Sequence, residues 1–514
     1  MPNITTFLDV NARYCSGPAF IFAKDGRTYT FREMREAACR LAGGLSSLGI
    51  KKGDRVCIYL DTSPEYLLSY LAIWRIGAVA VPTNAVYHAD EVRYALADSG
   101  AAAVITDTAG APTVRAVRAD CPDLGHVCIV GAAGEDETAW DDLLRADPLE
   151  RATDCSFDDL CQLQYTSGTT GRPKGAMLTQ GNWMSALATE REVLDLREGD
   201  VYLGIYPMGH VGLSWGLSVL KAGGTCVCMD RYDPEAYVRL AAEHRVTVLS
   251  AMPPVIHTLI RSKPGTEEAL KQVRCIISGG GPLLPVIWAE FDRRFGIPVV
   301  NAYGLSETIV VGSATAVVPA HYSLHKGYLS VGAPVGYAEA RIVAEDDPGR
   351  DLPAGEVGEI ALRGPAVAKG YWGMPEATER AFLPEGWFLT GDLGYLDEDG
   401  VLFVTDRKKD MIIMSGWKVY PTEVENVIVE HPKVADVAIF ARPDERRGEV
   451  PVAAVVFNPG EEMTLDDLTA YCRERLAGYK VPREMVVLDH LPRVSGWKLL
   501  RRTLREMYPV SSGN

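Results

Sequence analysis

The sequence has no surplus of positive charge, no Cys-x-x-Cys pair and no long uncharged apolar run, and each absence removes a class of function. Lys and Arg number 52 against 68 Asp and Glu, for a formal net charge of -16. Proteins that follow a nucleic-acid backbone or coat an anionic membrane depend on a basic surface, so no nucleic-acid partner is expected. A small phosphorylated ligand needs only a local basic site and stays open. The cysteines number 11, an odd count scattered through apolar contexts. They read as buried reduced thiols, with Cys226 and Cys228 sharing one face of a strand, rather than as a disulfide or metal framework. The longest apolar stretch, Tyr66 to Val81, is broken by Arg75 and Gly77 and falls short of a membrane span. The first residues, Met1-Pro2-Asn3-Ile4-Thr5-Thr6-Phe7, lack the basic region and apolar core of a secretory signal. A cytoplasmic protein without an integral membrane segment is expected, and nothing in this composition sets an oligomeric state.

What is present is a length of 514 residues, enough for about two to four structural units. Thr30 with Glu33 forms a capping box ahead of apolar positions at Met34, Ala37, Ala38, Leu41 and Leu45. Short apolar strands at 56–60, 78–81 and 102–105 alternate with helices predicted over 64–76 and 89–99. This α/β alternation predicts parallel sheet covered by helices, with ligands at the carboxyl ends of the strands. Residues 325–405 are rich in Gly, Pro and alternating apolar positions and predict a β-rich subdomain. The last hundred or so residues alternate strand and helix again, with Pro421 opening a helix and strands at 434–440 and 451–457.

One loop stands out: Tyr165-Thr166-Ser167-Gly168-Thr169-Thr170-Gly171-Arg172-Pro173-Lys174-Gly175. Its glycines allow successive N–H groups to converge on an anion, its hydroxyls add donors, and Lys174 adds a mobile charge. The spacing is not that of G-x-x-x-x-G-K-[ST], so a helix growing from the lysine is not predicted. A flexible surface turn has the same composition. Further on, Val299-Val300-Asn301-Ala302-Tyr303-Gly304-Leu305-Ser306-Glu307-Thr308 offers a ring to stack on a purine, a hydroxyl for a phosphate and a carboxylate for Mg²⁺. Ser278-Gly279-Gly280-Gly281-Pro282 opens a strand into glycines, which suits either close approach to a flat ligand or a tight turn. Thr390-Gly391-Asp392 places a carboxylate where it either caps amides or accepts a ribose diol.

Together these segments resemble the adenylate-forming superfamily of acyl-CoA synthetases, beetle luciferases and peptide-synthetase adenylation domains, most of all its acyl- or aryl-CoA ligases. The resemblance implies a large domain over 1–405, a hinge at 406–409 with Lys409 as pivot, and a small mobile domain over 410–514. It implies that Thr166, Ser167, Gly168, Thr169, Thr170 and Lys174 grip the β- and γ-phosphates of ATP. Gly280, Gly281, Pro282, Asn301, Ala302, Tyr303, Gly304 and Ser306 would line the nucleotide and acyl group, while Asp392 and Arg407 would hold the ribose side. Thr166 and Glu307 are the implied Mg²⁺ ligands. His210, after Pro207, would line the acyl pocket, where Leu213, Trp215 and Leu217 suit either a pocket wall or plain core. Lys498 would bridge the acid and the α-phosphate, and Gly416 with Trp417 would pass the pantetheine arm of coenzyme A. Two positions depart from the family pattern: Trp497 stands where glycine is usual, and Trp417 where a smaller or acidic residue is usual.

The implied reaction has two steps. A carboxylate attacks the α-phosphorus of ATP and releases pyrophosphate; a thiol then displaces AMP. The substrate expected is a fatty, alicyclic or aromatic monocarboxylic acid, with ATP and CoA as its partners. A stand-alone enzyme loading a carrier protein is the alternative, and the lack of a carrier domain after Lys498 favours CoA. A luciferase-like oxidase and a regulatory nucleotide-binding protein are further rivals.

Overall fold

The computed structural model describes residues 3–166, 173–310, 312–315, 322–494 and 498–509, with residues 494 and 498 described by backbone alone. Local signals set many of its elements. The Thr30–Glu33 capping box forms as predicted and starts helix Phe31–Ser47. Ser63 accepts the Tyr66 N–H, Pro64 occupies the first turn, and Gly77 (φ 78°) ends helix Pro64–Ile76 in the left-handed conformation that an L side chain resists.

Two large sheets result. A seven-stranded sheet runs Thr138–Ala139, His126–Val130, Ala103–Asp107, Arg55–Leu60, Val79–Asn84, Leu160–Thr166, Lys174–Thr179, and all its pairs are parallel except the last. A nine-stranded sheet runs Ala333–Pro334, Ser313–Ala314, Val299–Tyr303, Cys275–Ser278, Val248–Ala251, Val201–Gly204, Thr225–Cys228, Pro18–Phe22, Thr28–Thr30, parallel through its centre. Helices Pro64–Ile76 and Gln180–Val193 join the two through Trp74 and Trp183, both fully buried, with ring centroids 4.9 Å apart. The Trp74 indole donates to Cys161 O at 2.9 Å and Trp183 to Gln162 Oε1 at 2.8 Å, so both fasten the strand that leads into the glycine-rich loop. All 11 cysteines are free, and Cys226 and Cys228 face the same core.

The predicted β-rich region is a four-stranded antiparallel sheet, Glu339–Val343, Gly358–Arg363, Phe388–Leu396, Leu402–Arg407. The C-terminal residues form a separate five-stranded sheet with its own core around Ile412, Val424, Ile439, Val450, Ala453 and Leu468. As the loop's spacing predicts, no helix grows from Lys174: strand Lys174–Thr179 comes first and pairs antiparallel with Leu160–Thr166. The loop is therefore the tip of a hairpin. Among the described residues no helix is long and apolar enough to cross a membrane.

Candidate active site

The hairpin sets both ends of the phosphate-type loop. Thr166 faces Lys174 across the ladder, and its hydroxyl donates to Lys174 O at 3.5 Å. Ser167, Gly168, Thr169 and Thr170 lie outside the described residues, as do Gly171 and Arg172. The flanks are held from two sides. Tyr165 donates to Asp98 at 2.6 Å and Tyr94 donates to Pro173 O at 2.9 Å. On the open edge, residues 369–372 run alongside: Met177 N–H to Gly370 O at 2.9 Å, Lys369 N–H to Met177 O at 3.0 Å, and Trp372 N–H to Gly175 O at 2.8 Å.

This added edge brings in a residue that sequence patterns did not single out. Tyr371 donates its hydroxyl to Glu307 Oε1 at 2.9 Å, and the Lys174 ammonium sits 4.7 Å from the centre of the same ring. Glu307 follows strand Val299–Tyr303 in the short helix Ser306–Thr308 and is 6% exposed. Burial raises its pKa, opposed by the Tyr371 hydrogen bond and by Lys174. A carboxylate so desolvated is short of positive charge, which suits a cation beside it. Among the described residues no group of three or more His, Cys, Asp and Glu could hold a metal by itself.

A second cluster lies within electrostatic reach, since Asp392 also raises the Glu307 pKa. Asp392 is opposite Arg407 across a hairpin, 3.7 Å from its Nε, and accepts the Tyr303 hydroxyl at 2.8 Å. Burial again raises the carboxyl pKa, against the pull of Arg407 and Tyr303. Tyr303 ends its strand, so its ring sits at the carboxyl end of the nine-stranded sheet, with Gly304 and Ser306 partly buried just beyond. Gly280 (φ 84°), Gly281 and Pro282 are exposed at the neighbouring strand end, and a Cβ on Gly281 would meet nothing within 4 Å.

Other predicted residues are placed differently. The Asn301 side chain is buried and donates to Ser330 O at 3.1 Å, so it fastens the segment after the strand. Ala302 pairs with Ala314 within the sheet. His210 is partly buried on the turn after Pro207, where its N–H bonds Pro207 O at 3.1 Å. Trp215 and Leu217 are buried in the core of the first sheets. Gly416 (φ 82°) and Ser415 (φ 51°) turn the short hairpin that carries Trp417, which stacks on Tyr479 at 5.2 Å and is 61% exposed. Lys498 pairs with Val494 in a two-stranded ladder whose turn, with Trp497, lies outside the described residues, as does the Lys498 side chain.

Two buried carboxylates thus lie near strand ends, Glu307 on the Tyr371 hydroxyl with Lys174 over that ring, and Asp392 on the Tyr303 hydroxyl beside Arg407. Residues 7–372 match the AMP-binding enzyme family model, and residues 423–496 match that of the AMP-binding enzyme C-terminal domain. The chain belongs to the AMP-binding enzyme family. This AMP-binding enzyme is 36% identical over 486 residues to feruloyl-CoA synthase of an Amycolatopsis species, covering 94% of each. It superposes on ATP-bound MatB from Rhodopseudomonas palustris with a TM-score of 0.91 at 31% identity, covering 99% of both chains. Against apo MatB the score is 0.80, with 98% of each chain covered at 31% identity. O-succinylbenzoate CoA synthetase from Bacillus subtilis, in complex with its acyl-adenylate, superposes with a TM-score of 0.84 at 32% identity over 98% of each chain. The AMP-binding enzyme is accordingly an ATP-dependent acid–thiol ligase that joins a small carboxylic acid to CoA through an acyl-adenylate.

Proposed function

We propose that the acid is an aromatic or otherwise apolar monocarboxylic acid, fatty and alicyclic chains included. Gly281, exposed at a strand end, has open space about its Cβ position, and the relatives named for feruloyl-CoA and o-succinylbenzoate support a ring-bearing acid. His210 forms one wall of the acyl pocket. The observations that support the site assignment are two buried carboxylates near strand ends, Glu307 held by Tyr371 with Lys174 over that ring and Asp392 held by Tyr303 beside Arg407.

In this cleft Asp392 accepts the ribose diol, Tyr303 lies against the adenine and Arg407 adds charge beside the nucleotide. Ser306 donates to the α-phosphate. Thr166, Lys174 and the loop hydroxyls hold the β- and γ-phosphates, and Thr166 and Glu307 would hold Mg²⁺, which would supply neutralising positive charge. Two anions must meet in the first step, so fixed cationic and hydrogen-bonding groups dominate its catalysis. Lys498 bridges the acid and the α-phosphate. The small unit over 410–514 then turns about Lys409, within a hinge at 406–409, away from the large unit over 1–405. That turn brings Gly416 and Trp417 to the cleft as the passage for pantetheine, because one rigid unit cannot present Lys498 and Gly416 to a single site at once.

A pyrophosphate-release screen of cinnamic-type, benzoic, alicyclic and fatty acids, with CoA in one arm and a panel of carrier proteins in the other, tests this. Turnover of ring-bearing acids with CoA is expected. Turnover restricted to dicarboxylates, or to carrier proteins, would refute it.

A further inference from the structure

Where the chain leaves the four-stranded sheet, Asp406 is buried at 5% exposure and its two oxygens take partners on opposite sides of the proposed pivot. Oδ1 accepts the Arg407 N–H at 2.8 Å, and Oδ2 accepts the Thr422 N–H, also at 2.8 Å. Thr422 lies in the first turn of helix Pro421–Val429, where N–H groups have no partner within the helix, and Tyr420 at the N-cap supplies no side-chain cap. The cap comes instead from a carboxylate 16 residues earlier, on strand Leu402–Arg407, where its charge also meets the positive end of the helix.

Other ties of this helix stay within the small unit. Arg501 donates to both oxygens of Glu425 at 2.7 and 2.8 Å and to Ile439 O at 3.0 Å, and it lies 3.6 Å from Asp410. Arg505 pairs with Asp410 at 3.2 Å. These partners all follow Lys409 and would turn together. Asp406 precedes it, so its bond to Thr422 has to break. Lys418 and Glu345 also meet across the boundary at 2.5 Å, but that lysine is 48% exposed and its pair is screened by solvent.

The arrangement that Asp406 holds is also legible. The Trp417 turn faces solvent, whereas Arg493, in the ladder with Lys498, pairs at 2.8 Å with Asp436. Asp436 in turn acts electrostatically on His257, in helix Pro253–Ile260 beside the carboxyl ends of the nine-stranded sheet. With the Trp417 indole in solvent, this arrangement superposes more closely on ATP-bound MatB than on apo MatB, with TM-scores of 0.91 and 0.80.

We propose that Asp406 is a positioning residue for adenylate formation: by capping helix Pro421–Val429 across the pivot it holds the small unit in the acid-activating arrangement, and its release accompanies the turn to thioester formation. This rests on the two-arrangement reading above. A charge-assisted hydrogen bond of this kind shifts a two-state population by about tenfold. Asp406→Ala removes the cap, and Asp406→Asn keeps an acceptor without charge; Arg501 loses the Asp406 charge it faces in both, but keeps its bonds to Glu425 and Ile439 within the small unit.

The test measures, on full-length protein, acid-dependent pyrophosphate–ATP exchange, CoA-dependent consumption of supplied acyl-adenylate, and the distance distribution between labels at Glu376→Cys and Glu474→Cys. Both sites are exposed, and Cys15→Ser removes the one cysteine that is not buried. Asp406→Ala is expected to lower exchange about tenfold, Asp406→Asn less, with consumption of supplied adenylate undiminished and the distances shifted from those of wild type. Equal loss of both half-reactions, or an unchanged distance distribution, overturns the proposal. Absence of exchange in wild type across the acid panel would instead defeat the functional reading, and the distance arm would still decide whether Asp406 holds the small unit.

Discussion

The nucleotide cleft and the C-terminal unit handle their functional groups in opposite ways. In the cleft, Glu307 and Asp392 are buried, each takes a tyrosine hydroxyl, and each has a cation close by: Lys174 over the Tyr371 ring and Arg407 beside Asp392. On the C-terminal unit, Trp417 stands in solvent on a turn with two positive-φ residues, and Lys498 sits in a ladder of two short strands. Groups that must meet developing charge without rearranging are preset on strand ends and desolvated, whereas groups needed in only one step ride on a separate core.

Replacing groups in the two regions should separate the half-reactions by degree. Lys498→Ala should have the largest effect, a loss of roughly 10² to 10³ in pyrophosphate–ATP exchange, as for removal of a preorganised charge stabiliser, with supplied acyl-adenylate still passed to CoA. Equal loss in both assays would mean that Lys498 is structural. Glu307→Gln should lower exchange by about 10²-fold and raise the Mg²⁺ concentration needed for half-maximal rate; an unchanged Mg²⁺ dependence would remove Glu307 from the metal site. Lys174→Ala should cost about tenfold in adenylate formation and less in thioester formation, because its phosphates have left by then, and the reverse order would contradict the pyrophosphate grip.

The smallest expected effect tests the scaffold rather than the chemistry. Glu190 is fully buried between helices Gln180–Val193 and Leu213–Lys221, where it accepts from Ser214 and, at 2.5 Å, from Ser218. Burial lifts its pKa from 4.5 to about 8. The folded state therefore holds a proton that the unfolded chain has released. The stability this supplies is full below the ordinary value of 4.5 and is lost as pH rises through about 8. Glu190→Gln should flatten the fall in melting temperature between those limits; an identical pH dependence would mean that the carboxyl is ionised in the fold.

How legible these regions are in sequence follows from the range of the interactions. Helices Pro64–Ile76 and Ala89–Ser99 fall where caps, prolines and apolar spacing put them, because those signals lie within a few residues. Strand Lys174–Thr179 pairs with Leu160–Thr166 in a local hairpin, but its other edge, held by residues 369–372, is a long-range pairing that no local pattern reports. Tyr371 escapes for the same reason, since its partner Glu307 is 64 residues away. Asn301 shows the converse: a residue inside a ligand-type motif whose side chain is spent on Ser330. Of the motif residues, Tyr303 and Arg407 meet at Asp392, and only the fold shows that a tyrosine holds each carboxylate, Tyr303 at Asp392 and Tyr371 at Glu307.

The most direct test of this account is acid-dependent exchange of labelled pyrophosphate into ATP without CoA, compared between wild type, Lys498→Ala and Trp417→Ala. Exchange is predicted in wild type and in Trp417→Ala, and its loss in Lys498→Ala. Exchange that requires CoA, or that vanishes with Trp417 while surviving without Lys498, would contradict the division of labour between the cleft and the C-terminal unit.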